Sequence, residues 1–310
     1  MRKEEFYYPS MDGIHNIHAV AYIPDEIEAI VQIVHGMQEY ILRYEDFALW
    51  LNERNIMVVG EDHLGHGLSV NGEEDYGYFG DEGNRFVIGD LRQLQLLTTE
   101  KYGIYPYYFL GHSMGSFLLR QYIQNYYDID GAIIVGSGYK EEAALKAGKS
   151  LASALIKVKG DRYRSDLIKK IAFGTYNVKT EKRTDVDWIS ASHTNIDRYI
   201  ADELCGIDFT LNGYLELFKA IEDEQNENNL IKMPADLPVI FLAGQDDPVG
   251  DYGKGVLRSY TIFKNIGMED VEIKLYPGMR HEILNEDNKE EVYEDIYNWL
   301  IKHIDAMQEE

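Results

Sequence analysis

Cysteine is almost absent from this sequence. Of 310 residues, only Cys205 carries a thiol. A single cysteine excludes a disulfide within the chain, and chains without disulfides are typical of reducing compartments. We therefore expect the protein to be cytoplasmic.

Long apolar runs are also missing. No stretch of about 18 apolar residues, the length that suggests a membrane-spanning helix, occurs anywhere in the chain. Residues 1–6 contain two glutamates, an arginine and a lysine, and lack the apolar segment of a secretory signal peptide. We therefore expect a soluble protein with no signal peptide and no membrane span.

Basic residues are scarce relative to acidic ones. The chain has 30 Lys and Arg against 54 Asp and Glu, a net charge of −24, which argues against a nucleic-acid partner. The exception is residues 140–183, where 12 basic and 5 acidic residues give a net charge of +7. This basic island has two interpretations: a surface for an anionic lipid or acidic substrate, or a solvated helix face balanced by nearby acids.

Short apolar runs alternate with longer helical patterns along most of the chain. The predicted strands are 16–23, 29–35, 56–59, 107–110, 132–135, 239–243 and 271–276, and the predicted helices include 41–54, 84–102 and 290–304. This alternation is typical of an α/β fold, with a mostly parallel central sheet flanked by helices and joined by right-handed crossovers.

The alternation stops after about Gly138 and resumes near Leu237. The intervening residues are mostly helical in pattern, and no internal repeat is evident. We therefore divide the chain into a core segment at 1–137, a helical cap insertion at 138–236 and a second core segment at 237–310. Sites in α/β sheets lie beyond the carboxyl ends of the strands, so an insertion at such an end is expected to cover the site.

One segment combines an apolar run, a Gly-x-Ser-x-Gly motif and a helical pattern. The motif is Gly111-His112-Ser113-Met114-Gly115. A strand, a sharp turn and a helix in this order form the nucleophile elbow, and the glycines let the strained turn pack closely. The alternative is a chance match in a chain with 27 glycines.

A serine nucleophile needs a base and an orienting acid. His281 follows the last predicted strand and so lies at the same sheet edge as Ser113, whereas His303 lies in the terminal helix and is expected at the surface. Asp246 and Asp247 follow the 239–243 strand, and either can orient His281 while the other serves the turn. The order serine, aspartate, histidine is that of α/β-hydrolases.

Two backbone N–H groups are required to bind the oxyanion of an acyl-transfer reaction. One is expected to be that of Met114, which follows the nucleophile. The other is expected at Met37, in the loop after the 29–35 strand, where Gly36 lets the backbone approach the site.

Five segments together resemble one family. They are His35-Gly36-Met37-Gln38-Glu39 with Arg43-Tyr44, Asp62-His63-Leu64-Gly65-His66-Gly67-Leu68-Ser69, Gly111-His112-Ser113-Met114-Gly115-Ser116, Gly244-Gln245-Asp246-Asp247-Pro248-Val249 and Pro277-Gly278-Met279-Arg280-His281-Glu282. In order and separation they resemble the motifs of monoacylglycerol lipases and lysophospholipases. That α/β-hydrolase family also includes serine aminopeptidases.

The resemblance implies roles for further residues. It selects Asp247 over Asp246 as the acid, gives the cap the acyl-chain pocket, and makes His35, Gly36, Glu39 and His112 supporting residues of the site. Arg43, Asp62 and His66 become structural, and Ser116, where the family has glycine, is expected to be tolerated. Without the resemblance, Asp62, His63 and His66 suggest metal ligands, but the set lacks a further ligand at typical spacing, and we expect neither a metal nor a cofactor.

The sequence thus predicts an α/β-hydrolase fold and a serine hydrolase with the triad Ser113, Asp247 and His281. The expected partner is a small ester, such as a monoacylglycerol, a lysophospholipid or a shorter acyl ester, with transient membrane-surface contact through the cap. Two alternatives stay open: an aminopeptidase of the same superfamily, and a non-catalytic binding protein on a hydrolase scaffold.

Overall fold

A computed structural model describes residues 1–309 of the chain. Its centre is one sheet of eight strands. They are β1 (Arg2–Pro9), β2 (Asn16–Ile23), β3 (Ala29–Val34), β4 (Ile56–Glu61), β5 (Tyr107–His112), β6 (Gly131–Val135), β7 (Val239–Gly244) and β8 (Val271–Tyr276). Every residue of β3, β5, β6 and β7 is buried, as expected for inner strands covered on both faces.

The strands lie in the order β1-β2-β4-β3-β5-β6-β7-β8. All neighbouring pairs from β4 to β8 are parallel, whereas β1 pairs antiparallel with β2, and β2 antiparallel with β4. This mostly parallel sheet confirms the predicted fold class. It places β5, the strand that precedes Ser113, at the middle of the sheet.

Helices cover both faces of the sheet. They are α1 (Glu45–Asn52), α2 (Gly83–Tyr102), α3 (Met114–Tyr122), α4 (Glu142–Lys159), α5 (Asp166–Phe173), α6 (His193–Ala201), α7 (Leu211–Glu224), α8 (Glu227–Leu230), α9 (Lys254–Asn265) and α10 (Lys289–Glu309). Two large apolar clusters, one on each face, form the core. In the described part of the chain, no helix has the length and apolar character needed to cross a membrane.

The segment between β6 and β7 contains five of the helices, α4 to α8, and within the described residues it contributes no strand to the sheet. Here α4 packs against α7, and α7 packs against α3, the helix that follows Ser113. The insertion therefore lies over the carboxyl end of β5. Its boundaries as a separate cap domain, 138–236, remain our proposal.

Three local features differ from the sequence predictions. The first strand, Arg2–Pro9, was not predicted, and the predicted helix 41–54 is a short 3₁₀ turn at Ile41–Tyr44 followed by α1. His303 was expected at the surface but is buried. Its Nδ1 lies 2.7 Å from the carbonyl oxygen of Trp299, and its ring packs on the Trp299 indole.

Candidate active site

Ser113 lies on the sharp turn between β5 and α3. Its φ of 54° and ψ of −119° are a conformation that residues with a side chain rarely adopt, as expected for a strained elbow. Its backbone N–H donates to the carbonyl oxygen of Val135 in the neighbouring strand, at 3.0 Å. This bond to β6 holds the turn in place beyond the end of the sheet.

Close packing on either side explains the two glycines of the motif. A Cβ at Gly115 would collide with the carbonyl oxygens of Val34 and His35, and a Cβ at Gly111 would lie 2.5 Å from the carbonyl oxygen of Gly115. Where the family has a third glycine, the buried Ser116 hydroxyl donates to the carbonyl oxygen of Ser113 at 2.6 Å. The serine is thus accommodated by a hydrogen bond within the elbow.

His281 and Asp247 form a buried pair. Nδ1 of His281 lies 2.9 Å from Oδ2 of Asp247, and the other oxygen, Oδ1, accepts the N–H of Val249 at 2.8 Å. Asp247 is fully buried, whereas Asp246 is exposed. The backbone N–H of Asp246 donates to the carbonyl oxygen of Met279. The structure therefore brings His281 together with Asp247 and leaves Asp246 outside the pair.

The loop after β3 comes close to Ser113. A Cβ at Gly36 would lie 3.0 Å from the Cβ of Ser113, so only glycine permits this approach. Next along the loop is Met37, and beyond Ser113 is Met114. Among the described residues, neither the N–H of Met37 nor that of Met114 donates to a protein acceptor. Both N–H groups are free to serve a ligand.

A buried network fixes this loop against the elbow. Oε1 of Glu39 accepts the N–H of Gly36 at 2.7 Å and the hydroxyl of Tyr44 at 2.8 Å, and lies 2.8 Å from Nδ1 of His112. Burial alone would lower the pKa of His112, but the Glu39 carboxylate raises it above its ordinary value. Burial alone would likewise raise the pKa of Glu39, but the charges of His112 and Arg43 lower it.

The same network continues into the cap segment through Arg43. Its guanidinium donates to Oε2 of Glu39 at 3.0 Å and to both carboxylate oxygens of Glu282, at 2.5 and 2.7 Å. Glu282 also accepts the side-chain amide of Asn195 on α6 at 2.7 Å. Because Glu282 follows His281 directly, the bidentate ion pair of Arg43 and Glu282 links the segment after β3 to the loop that carries His281, and Asn195 extends this link to α6.

The histidine-rich loop after β4 supports the site from behind. The His35 ring stacks on His63 at 3.9 Å, and Nε2 of His35 accepts the N–H of His63 at 3.0 Å. Burial lowers the pKa of His63 to about 4 and that of His66 to about 3, so both rings are neutral. Asp62 accepts the N–H groups of Ile41 and Leu68. From these contacts we propose structural roles for the residues of this loop.

A cavity of 290 Å³ lies between the elbow and the cap. It is lined by Ser113 and His281, and by Met37 and Met114, whose own backbone N–H groups are free. Its apolar lining residues include Met37, Met114, Phe117, Leu145, Ile171, Phe173, Trp188, Leu217, Phe218 and Ile221. In the described part of the chain, no hydrogen bond joins the Ser113 hydroxyl to His281, although both face this cavity.

Comparison with known proteins places the chain in a family. Residues 25–288 match the family model described as serine aminopeptidase, S33. Among curated relatives, the monoacylglycerol lipase of Mycolicibacterium smegmatis is 22% identical over 306 residues, which cover 97% of this chain and 98% of the relative. The human monoglyceride lipase is 25% identical, with 88% and 82% covered.

A solved structure agrees with this placement. The thermostable carboxyl esterase from Bacillus coagulans superposes with a TM-score of 0.91 at 29% identity, and the match covers 98% of this chain and 99% of the esterase. The chain therefore belongs to the serine aminopeptidase (S33) family and is a monoacylglycerol lipase-like member of the α/β-hydrolases.

Proposed function

We propose that this protein is a serine hydrolase that cleaves carboxylic esters of monoacyl lipids. One observation carries the proposal: Ser113, His281 and the free N–H groups of Met37 and Met114 meet at a single apolar cavity, with Asp247 behind the histidine. The similar proteins named above are two lipases and an esterase, which agrees with ester hydrolysis.

The first half of the reaction forms an acyl-enzyme. The Ser113 hydroxyl oxygen attacks the ester carbonyl carbon while Nε2 of His281 accepts its proton. Negative charge then develops on the carbonyl oxygen, which the N–H groups of Met37 and Met114 bind. His281 delivers the proton to the alcohol oxygen as the carbon–oxygen bond breaks, and the alcohol leaves.

The second half returns the enzyme to its starting state. His281 takes a proton from water, and the resulting hydroxide attacks the acyl carbon. The Ser113 oxygen leaves and recovers the proton from His281, which releases a carboxylic acid. Asp247 holds Nδ1 of His281 throughout, so that Nε2 faces the cavity and the imidazolium is stabilised.

The apolar end of the cavity suits an acyl chain. It is formed by side chains of α3, α4 and α7, among them Phe117, Leu145 and Ile221. Burying a chain methylene here contributes about 0.8 kcal/mol, so a longer chain binds more tightly until the cavity is full.

The aminopeptidase alternative is less well supported. It requires a free carboxylate for a substrate ammonium, and the cap acids Asp202, Glu203 and Asp208 do not line the cavity. The two acids that do, Glu39 and Glu282, are already paired with Arg43. No acidic group of the cavity is left to recognise an amino terminus.

Hydrolysis of a graded substrate series tests this assignment. We expect kcat/KM to rise from acetyl esters to an optimum at medium or long chains, for both p-nitrophenyl esters and monoacylglycerols, and to be far lower for aminoacyl amides. Preference for aminoacyl amides would instead support the peptidase alternative. Turnover of neither class, with ligand binding retained, would support a binding protein.

We further propose that α5 makes a transient contact with membrane surfaces. Its Leu167 and Ile171 side chains are 53% and 62% exposed. Beside them lie Lys170, which forms no ion pair among the described residues, and Lys169, which is paired with Asp208. Ile171 also lines the cavity, so α5 is at the entrance. Exposed apolar groups with neighbouring lysines are typical of helices that lie on anionic lipid.

Vesicle sedimentation tests this contact. With vesicles of equimolar phosphatidylcholine and phosphatidylglycerol, we expect binding that weakens as salt rises, because charge attraction is screened over about 8–10 Å at ordinary ionic strength. The double substitution Leu167→Ser and Ile171→Ser should reduce binding, whereas Leu257→Ser, at a similarly exposed leucine of α9, should not. Absent or salt-independent binding would favour the solvated-face interpretation of the basic island.

A further inference from the structure

Lys140 is the one lysine or arginine that lines the cavity, and it has no acidic partner there. Its Nζ donates to the hydroxyl of Tyr176 and to the carbonyl oxygen of Val249, both at 3.3 Å. Both acceptors are neutral, and in the described part of the chain no carboxylate lies within ion-pair distance of Nζ. One of its three N–H groups is left without a protein acceptor.

Five of the other eleven basic residues of the surrounding island form ion pairs: Lys146 with Glu142, Lys149 with Glu222, Arg162 with Asp75, Lys169 with Asp208 and Arg183 with Asp197. The other six have no ion pair among the described residues, but none of them lines the cavity. Lys140 differs because it lines the cavity, where its contacts are the neutral Tyr176 side chain, with the ring centre 5.7 Å from Nζ, and a backbone carbonyl oxygen. An anion entering the cavity would compensate the charge of Lys140.

The contacts of Lys140 place it on the histidine side of the cavity. The Tyr176 ring packs on Trp188 at 5.0 Å, and Trp188 packs on His281 at 5.2 Å. Val249, its other acceptor, donates its own N–H to Asp247. Both acceptors are therefore linked to the residues that hold the base.

The chemistry of the proposed reaction decides which half of a substrate lies near these residues. His281 must hand its proton to the leaving alcohol, so the alcohol portion of the ester lies on the His281 side. The acyl chain then extends toward the apolar end. A charged group near Nζ of Lys140 therefore belongs to the alcohol portion.

We propose that Lys140 recognises an anionic group, a phosphate or a carboxylate, on the alcohol portion of the ester. This inference rests on the proposed ester hydrolysis and names its substrate class: monoacyl esters with a negatively charged head. An ammonium on a flexible stem suits such a group as a point charge. In a protein with a net charge of −24, this local cation would offset the general repulsion of an anionic substrate.

The test compares matched substrates below their micelle-forming concentrations. They are monooctanoyl glycerol, monooctanoyl glycerol phosphate, and glycerol monoesters of hexanoic and adipic acid, the last with its carboxylate on the acyl side. The measured quantity is the ratio of kcat/KM for each charged ester to that of its neutral partner. The proteins are wild type, Lys140→Met, Lys140→Arg and Lys146→Met, a control at an exposed lysine of α4.

We expect Lys140→Met to lower the phosphate-to-neutral ratio by about 10- to 100-fold, since a hydrogen bond to a charged group is lost. Lys140→Arg should keep most of the preference for the phosphate ester over the neutral ester, and Lys146→Met should keep all of it. The adipate-to-hexanoate ratio should not depend on residue 140.

Two outcomes would overturn the inference. If Lys140→Met leaves the phosphate-to-neutral ratio unchanged, whether or not both rates fall, residue 140 does not recognise the charged head. If only the adipate-to-hexanoate ratio falls, the cation lies on the acyl side. If wild type hydrolyses the neutral esters in either case, the proposed function stands without the inference. If wild type hydrolyses none of the four esters, the proposed function fails first.

Discussion

Replacing Ser113 by alanine is expected to lower kcat/KM for monoacyl esters by about 10⁴- to 10⁶-fold, the loss seen when a triad nucleophile is removed. Alanine keeps the Cβ of the elbow but removes the oxygen that forms the acyl-enzyme. The residual rate would come from the free N–H groups of Met37 and Met114, which still polarise a bound carbonyl. Steady-state hydrolysis of p-nitrophenyl octanoate measures the loss.

Two controls make this result specific. Ser150→Ala, at an exposed serine of α4, should leave the rate unchanged. The melting temperature of Ser113→Ala should equal that of wild type or lie slightly above it, because the Ser113 hydroxyl makes no stabilising contact among the described residues that alanine would lose. A Ser113→Ala protein that is folded and retains more than a tenth of the wild-type rate would show that another residue is the nucleophile.

Replacing Asp247 by asparagine is expected to lower kcat by about 10³- to 10⁴-fold with little change in KM. The carboxylate holds Nδ1 of His281 at 2.9 Å and is fully buried, so its charge acts on the imidazolium with little screening. Asparagine fills the same space, and its amide can still accept the N–H of Val249. It supplies no negative charge, and its NH₂ group can favour the wrong tautomer of His281.

Asp246→Asn is the matched control for this substitution. The same change one residue earlier removes an exposed carboxylate that makes no contact with His281. We expect activity within about twofold of wild type, as is usual for surface substitutions. If Asp246→Asn were the damaging variant and Asp247→Asn the mild one, the pairing of His281 with Asp247 would be wrong.

Much of this architecture could be predicted because its signals are local. The strand before Ser113 and the strand before Asp247 are continuous apolar runs, and parallel strands bring their carboxyl ends to one edge whatever the intervening sequence. The family and the fold class followed from motif order and are confirmed by the comparisons. The catalytic roles remain predictions that the variants above test.

Other features could not be predicted because they depend on distant contacts. The edge strand Arg2–Pro9 has four charged residues followed by three aromatic ones, and most of its residues are exposed, so it lacks the apolar pattern of an inner strand. Arg43 and Glu282 lie 239 positions apart, and nothing in either segment shows that they pair. In the sequence, Lys140 is one of twelve basic residues of the island. Only the fold shows that it lines the cavity.

Covalent labelling tests the central claim most directly. A fluorophosphonate reacts with an activated serine: the serine oxygen bonds to phosphorus, fluoride leaves, and the proton passes to the histidine. We predict one label per chain, on the peptide that contains Ser113, with labelling lost in Ser113→Ala and strongly slowed in Asp247→Asn. A label on a different residue, or no label on a protein that still hydrolyses esters, would contradict the assignment of Ser113 as the nucleophile.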